Sequence, residues 1–249
     1  MDRVNNLIKY MSVLLLLGGL IAPAHAAPPS SFSKSKKILN TQVYNDQKIS
    51  FYCGCAYQTA EITNRNGTLR NKEAVNHSSC DYEPRKSPKR AKYVEWEHVV
   101  PAHHLGHQLQ CWQDGGRKAC RKDPEFRVMV ADLHNLVPVI GEVNGDRSNF
   151  RFGMIAGEPR RYGDCDFEVD FKQRVAEPAE NVRGDIARRY FYMRDTYNIK
   201  LSKQQTKLLT AWSRLDPVSE WECERDRRIE AIQGHGNSYV KVGCVELAE

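Results

Sequence analysis

The amino-acid sequence predicts a single exported domain of the α+β class, cross-linked by disulfides. Strand-like segments lie in the first half of the chain and helical patterns in the second. A secretory leader precedes eight cysteines. Without the leader the chain has about 223 residues, enough for one ordinary hydrophobic core. We therefore expect a leader at residues 1–26 and one domain at residues 27–249.

The leader has the three parts of a signal peptide. Arg3 and Lys9 precede an apolar run that begins at Met11, and a small-x-small cleavage pattern ends at Ala26. The run is short for a membrane span, and no later segment is apolar enough to be one. We expect a soluble protein in the periplasm or the medium, without stable membrane association.

The eight cysteines all lie after the leader, which favours disulfides in an oxidising compartment. Their pairing stays open, because eight cysteines allow about 100 pairings. Cys53 and Cys55 are expected to have different partners, since a ring with one intervening residue is strained. No Cys-x2-Cys pair is present, so the usual spacing of structural zinc sites is missing.

Composition predicts the local structure of several segments before residue 100. Residues 27–50 form a polar lead-in with room for a helix, and "KISFYCGCAY" (residues 48–57) has strand character. Residues 63–79 are polar and loop-like. The basic run "RKSPKRAK" (residues 85–92) is either a solvated loop or an edge that contacts phosphate.

The second half is predicted to be helical. Residues 183–197 place apolar and aromatic side chains on one helix face, at Ile186, Tyr190, Met193 and Tyr197. Capping boxes at Ser202 and Ser219 predict the starts of two further helices, separated by Asp216-Pro217.

The net charge without the leader is about +5, which permits a polyanionic partner but suits a basic soluble protein equally well.

Four histidines lie within "VEWEHVVPAHHLGHQLQCW", residues 94–112. His103 and His107 have the spacing of a zincin pair, but His104 stands where that signature needs glutamate. The inverted signature needs a histidine at the position of Val94. Both protease signatures therefore fail, and a noncatalytic zinc pair at His103 and His107 stays open.

A different pattern joins this stretch to two later segments. "EHVVP" at residues 97–101 is followed by "HNLVPV", which contains Asn135, and then by "GEVNGDRSN", which contains Asn144. This order resembles the ββα-metal, or His-Me finger, core of nucleases. "EWEHVVPA", "GHQ", "CWQDGGRK", "GEVNGDRSNF", "YFYMRD" and "WECERD" extend the resemblance to the bacterial endonuclease I family, over residues 51–240.

The resemblance implies a secreted or periplasmic nuclease that depends on Mg²⁺, with Mn²⁺ or Ca²⁺ as substitutes. His98 would be the general base that takes a proton from water. Glu97 and Asn144 would hold one metal ion through oxygen ligands. Arg117 would contact the cleaved phosphate through its planar guanidinium. The expected substrates are double- and single-stranded DNA, and also RNA, cut to 5′-phosphate ends by a monomer.

The remaining residues near this site receive supporting roles. Asn135 is expected to brace the loop, and Asp146 and Asn149 are second choices as metal ligands. His103 and His104 are expected to be exposed, while His107 would pack or hydrogen-bond near the site.

Adjacent residues of a strand point to opposite faces, so Glu97 and His98 can serve one phosphate only if the strand ends or bulges there. Pro101 fits an early strand end.

Two alternative functions stay open: a zinc-dependent hydrolase centred on His103 and His107, and a noncatalytic DNA-binding protein on the same fold.

Overall fold

Seven strands and ten α-helices make up the part of the chain that the computed structural model describes, residues 27–157 and 160–247. The predicted leader, residues 1–26, lies outside these residues. The strands are Tyr57–Thr63 (β1), Leu69–Val75 (β2), Val94–His98 (β3), Leu136–Ile140 (β4), Arg151–Phe152 (β5), Phe167–Asp170 (β6) and Val175–Pro178 (β7). The helices are Phe32–Ile38 (α1), Pro88–Ala91 (α2), Ala102–Gly106 (α3), Gln110–Cys120 (α4), Pro124–Ala131 (α5), Gly141–Arg147 (α6), Arg183–Tyr197 (α7), Lys203–Leu215 (α8), Glu220–Gln233 (α9) and Ser238–Glu246 (α10).

Within the described ranges, no helix combines the length and apolar character that a membrane span requires.

The strands form three small sheets. β1 and β2 are an antiparallel hairpin, and β3 and β4 are a second antiparallel pair in which His98 lies opposite Leu136. In the third sheet, β7 is central, parallel to β5 and antiparallel to β6. An isolated bridge from Ala74 to Tyr93 joins the hairpin to the residue before β3.

Two local predictions in the first half were wrong. Residues 63–79 are not a loop throughout, because they contain β2; the turn at Asn66-Gly67 reverses the chain, with Gly67 at φ +81°. Residues 48–57 form a turn closed by an isolated bridge from Ile49 to Ala56 rather than a strand, and β1 begins only at Tyr57. Gly54 lies there at φ +67°, between two disulfide-bonded cysteines, so the chain turns where its composition favoured a strand.

The helical predictions for the second half are confirmed. Ile186, Tyr190 and Met193 of α7 are buried in the larger of two hydrophobic clusters. Ser202 and Ser219 are the N-caps of α8 and α9, where their hydroxyls accept from the backbone N–H groups three residues later.

All eight cysteines are paired in disulfides, as predicted. The pairs are Cys53–Cys165, Cys55–Cys80, Cys111–Cys120 and Cys223–Cys244. Cys53 and Cys55 therefore do have different partners. The fold is the predicted α+β class, with mainly helical structure after β7.

Candidate active site

A ββα unit positions the candidate site. β3 and β4 lie side by side, and Ile140, the last residue of β4, is the N-cap of α6. α6 packs on both strands. This short connection holds Asn144 on the helix beside Glu97 and His98 at the end of β3, because no loop separates strand from helix.

One cavity of about 580 Å³ brings four of the predicted site residues together: Glu97, His98, Arg117 and Asn144. β3 ends at His98, and the chain then bends through Val99. The strand end allows the two adjacent side chains to line the same cavity despite the alternation of a regular strand.

His98 is held by a backbone carbonyl that sequence reasoning could not identify. Its Nε2 lies 2.9 Å from the carbonyl oxygen of Val130 on α5. A carbonyl only accepts hydrogen bonds, so Nε2 carries the proton and Nδ1 keeps its lone pair. Phe32 packs against the ring, with centroids 4.6 Å apart. Burial lowers the pKa of His98 to about 4, with Arg117 and Arg147 acting in the same direction, so the ring is neutral at pH 7.

Glu97 is a buried carboxylate with a buried cationic partner. Arg147 Nη1 donates to Glu97 Oε1 at 2.7 Å and to the carbonyl of His98 at 3.0 Å, and Nη2 donates to the carbonyl of Val99 at 2.7 Å. Arg147 thereby fixes both the carboxylate and the strand end. Burial nevertheless raises the pKa of Glu97 to about 7, and Arg147 opposes that rise.

Asn144 is oriented by a second glutamate of β3. Its Nδ2 donates to Glu95 Oε2 at 2.9 Å, while Arg90 donates to both carboxylate oxygens of Glu95 at 2.6 Å. With the amide nitrogen engaged, the amide oxygen of Asn144 is the atom left to act as an acceptor or a metal ligand.

Arg117 reaches the cavity from a helix that is broken in its middle. Gly115 and Gly116 interrupt α4, and Gly116 has φ +61°, a conformation that favours glycine. The Cys111–Cys120 disulfide, whose Cα atoms lie 4.9 Å apart, closes the segment around this break. Arg117 itself is exposed.

The predicted brace, Asn135, lies just outside the cavity. It is fully buried, and its side chain accepts from the backbone N–H of Val100 at 2.8 Å and donates to the carbonyl of Val100 at 3.0 Å. These two bonds tie the chain after β3 to the start of β4.

The two second choices for the metal are engaged elsewhere. Asp146 accepts from Arg85 Nε at 3.0 Å and from the Tyr162 hydroxyl at 2.7 Å. Asn149 lines the cavity, but its Oδ1 accepts from Arg174 at 2.9 Å.

The basic run at residues 85–92 is fastened to α6. The backbone N–H groups of Arg85, Lys86 and Ser87 all donate to the buried carboxylate of Glu142. This segment is thus not a free loop. Two of its cations, Arg85 and Arg90, form ion pairs with Asp146 and Glu95, and Arg90 also lines the cavity.

Two of the three other histidines of the stretch differ from expectation. His103 and His104 are half-buried rather than exposed, because α3 turns them toward α7 and α8. His107 was expected to pack or hydrogen-bond near the site. It is exposed at the C-terminal end of α3, and its ring stacks on that of His103 with the centroids 5.4 Å apart.

The donor set of the cavity fits one divalent cation with oxygen ligands. Glu97 supplies a carboxylate and Asn144 an amide oxygen, and a hard cation such as Mg²⁺ completes its shell with water and phosphate. A cation beside Glu97 would favour the ionised carboxylate that burial disfavours. In the described residues, no group of three or more His, Cys, Asp or Glu side chains is placed to hold a metal ion, so His103 and His107 lack a third such ligand.

Sequence reasoning missed Glu95, Arg147 and Val130. Glu95 and Glu97 lie on the same face of β3, because side chains two residues apart in a strand point to the same side. This i, i+2 spacing is visible in the sequence and could have identified Glu95 as a neighbour of the site. Arg147 follows Asn144 by three residues, about one helical turn, but nothing in the sequence shows that it is buried. The Val130 carbonyl is a backbone group and leaves no signal.

Comparison with known proteins places the chain in a family. The Endonuclease I family model matches residues 31–244. An extracellular deoxyribonuclease of Aeromonas hydrophila is 49% identical over 224 residues, covering 90% of this chain and 93% of that protein. A periplasmic deoxyribonuclease of the same species is 48% identical over 223 residues, covering 89% and 90%. Endonuclease-1 of Buchnera aphidicola subsp. Acyrthosiphon pisum (strain APS) is 45% identical over 209 residues, covering 84% and 80%. The extent of these matches shows that the chain belongs to the endonuclease I family and is an exported endonuclease.

Proposed function

We propose that this endonuclease hydrolyses DNA in the presence of Mg²⁺, with little sequence preference, and leaves 5′-phosphate ends. The observation that carries the proposal is the single cavity lined by Glu97, His98, Arg117 and Asn144. Relatives named deoxyribonucleases support DNA as the substrate. RNA is a further proposed substrate, the active species a monomer, and residues 1–26 a leader removed on export.

His98 acts as the general base. Its Nδ1 lone pair accepts a proton from the attacking water, and its Nε2–H remains bonded to the Val130 carbonyl. The bond to Val130 fixes both the tautomer and the ring orientation, and the lowered pKa of His98 keeps the base unprotonated near neutral pH.

Glu97 and Asn144 would hold the metal ion, and Arg147 and Glu95 keep these two side chains in place. When bound, the cation would supply Lewis-acid stabilisation of the negative charge on the phosphate and the leaving oxygen. Arg117 contacts the nonbridging phosphate oxygens, which its fork of N–H donors fits. Contacts of this kind are to the backbone, which is the same in every sequence.

Cleavage of supercoiled plasmid by the oxidised protein tests the proposal. We expect nicking in Mg²⁺, none in EDTA, and a loss of about 10²- to 10⁴-fold in rate for His98→Ala, which still binds DNA. Products should accept a 5′ label from polynucleotide kinase only after phosphatase treatment.

Arg117→Ala and Arg121→Ala form a matched pair, because both arginines are exposed and only Arg117 lines the cavity. Arg117→Ala should lower the cleavage rate and Arg121→Ala should not. Intact plasmid with folded wild-type protein in Mg²⁺ would instead support a noncatalytic DNA-binding protein.

A further inference from the structure

A second cavity lies directly beside the candidate active site. It has a volume of about 340 Å³ and lies between α3, the end of α7 and the start of α8. His103 lines both this cavity and the active-site cavity, so one imidazole ring separates them. We call the second cavity the histidine pocket, defined by His103, His104, His107 and Gln205.

Two polar atoms in the histidine pocket are buried without partners. His103 Nδ1 and Gln205 Nε2 make no hydrogen bond within the described residues. Most buried polar groups in proteins are satisfied, so two unpaired atoms on side chains that line one cavity point to a ligand that supplies partners once these side chains adjust to it. Gln205 Nε2 requires an acceptor, and His103 Nδ1 can pair with a donor or an acceptor according to its tautomer.

The remaining walls favour a flat, uncharged ligand. The rings of His103 and His107 are stacked 5.4 Å apart, and Tyr190, Ile199 and Leu201 add aromatic and apolar surface. Burial lowers the pKa of His103, and that of His104 to about 4, so these rings are neutral at pH 7. Among the described residues of the lining, Lys200 is the one lysine or arginine, whereas a phosphate site needs several cations. A nucleobase needs stacking faces and hydrogen bonds at its edge.

We propose that the histidine pocket binds one nucleobase of the substrate strand, next to the phosphate that is cleaved. This inference rests on the proposed function. A nucleotide places its base beside its own phosphate, and the pocket lies beside the cavity that holds His98 and Arg117. The base must leave its stack to enter, which costs least in single-stranded DNA. The pocket therefore confers a preference for unpaired strands, and stacking leaves it tolerant of which base enters.

An abasic scan tests the pocket. Single-stranded oligonucleotides carry phosphorothioates at every linkage except one, and one nucleotide at a time is made abasic. At one position beside the cleavable linkage, we expect kcat/KM to fall by about 5- to 100-fold, the loss that follows removal of a stacked base. Abasic sites elsewhere should have smaller effects.

Matched variants of α8 tie the effect to the pocket. Gln205→Leu preserves size and removes the amide, so it should reduce the contrast between intact and abasic substrates by about 2- to 10-fold. Gln204→Leu changes the exposed neighbour on the same helix and should keep the wild-type pattern. His107→Ala, at an exposed position that the fold tolerates, should also reduce the contrast.

Binding of the same oligonucleotides to His98→Ala, measured by fluorescence anisotropy, separates this inference from the proposed function. An absence of cleavage by wild-type protein would count against the proposed function, and the binding scan would still decide the pocket. Cleavage without a sensitive position, or a Gln205→Leu pattern equal to wild type in both assays, would show that no base occupies the pocket.

Discussion

At the scale of single residues, the site depends on partners that hold the reactive groups. The Val130 carbonyl sets which nitrogen of His98 is free, Glu95 sets which atom of Asn144 is free, and Arg147 compensates the charge of Glu97. Each partner acts through a hydrogen bond of 2.7–2.9 Å. The roles proposed for His98, Asn144 and Glu97 therefore depend on these pairs.

Arg147→Met should strongly destabilise the protein, because it leaves the Glu97 carboxylate buried without its cation. We expect a loss of about 3–5 kcal/mol in the free energy of unfolding, measured by urea denaturation. Arg151→Met, on the exposed side of β5, is the control and should change stability by less than about 0.5 kcal/mol. A loss of under about 1 kcal/mol for Arg147→Met would contradict a role as counter-charge.

The pH dependence of cleavage should follow Glu97 rather than His98. The pKa of Glu97 is raised to about 7, so protons compete with the metal for this carboxylate as the pH falls below that value. The pKa of His98 is lowered to about 4, so the base stays neutral throughout that range. Raising the Mg²⁺ concentration should move the acid limb of kcat/KM to lower pH. An acid limb that stays in place at every Mg²⁺ concentration would assign it to another group.

At the scale of elements, the site forms where four short segments meet. The end of β3 contributes two side chains, Glu97 and His98, while α6 and the broken helix α4 contribute one each and the carboxyl end of α5 contributes a carbonyl. Short elements have little stability of their own, so cross-links and buried ion pairs hold them in register. The Cys111–Cys120 disulfide has this role for α4.

Removing Cys111–Cys120 by a double serine substitution should lower kcat by about 10- to 100-fold, because Arg117 loses its fixed position. The matched control is the double serine variant of Cys223–Cys244, which joins α9 to α10 away from the cavity. That control should lose about 2–4 kcal/mol of stability and keep its kcat at a temperature where it is folded. Equal kcat values in the two variants would show that the α4 disulfide does not position Arg117.

At the scale of the whole molecule, the positive net charge favours binding to a polyanion, and the disulfides suit an exported protein. The formal net charge is +6 for the full chain, and four disulfides join its segments. Most large cationic side chains near the site are nevertheless paired, as Arg85, Arg90 and Arg147 show. Exposed unpaired cations such as Arg117 are therefore the ones available to phosphates.

Affinity of the metal-free protein for a short DNA duplex should fall steeply with salt. Each phosphate that the protein neutralises contributes about −0.9 to the slope of log affinity against log salt concentration. We expect a slope of about −3 or steeper, measured by fluorescence anisotropy, and a shallower slope for Arg117→Ala. Affinity that is flat from low to moderate salt would contradict binding through the backbone.

The sequence by itself determined the features that are local or carried by residue type: the α7 face, the N-caps of α8 and α9, and the presence of disulfides. It also predicted the set Glu97, His98, Arg117 and Asn144, which line one cavity and whose roles stay a prediction. Periodicity, capping chemistry and motif order are all readable along the chain.

Only the tertiary structure decided the disulfide pairing, the carbonyl that orients His98, the burial of Arg147 and the inward turn of His103 and His104. These depend on which distant backbone and side-chain atoms meet, and that is set by packing between elements far apart in sequence. The wrong prediction of a loop at residues 63–79 also reflects tertiary structure. This polar segment contains the strand β2, because pairing with β1 satisfies the hydrogen bonds of its backbone.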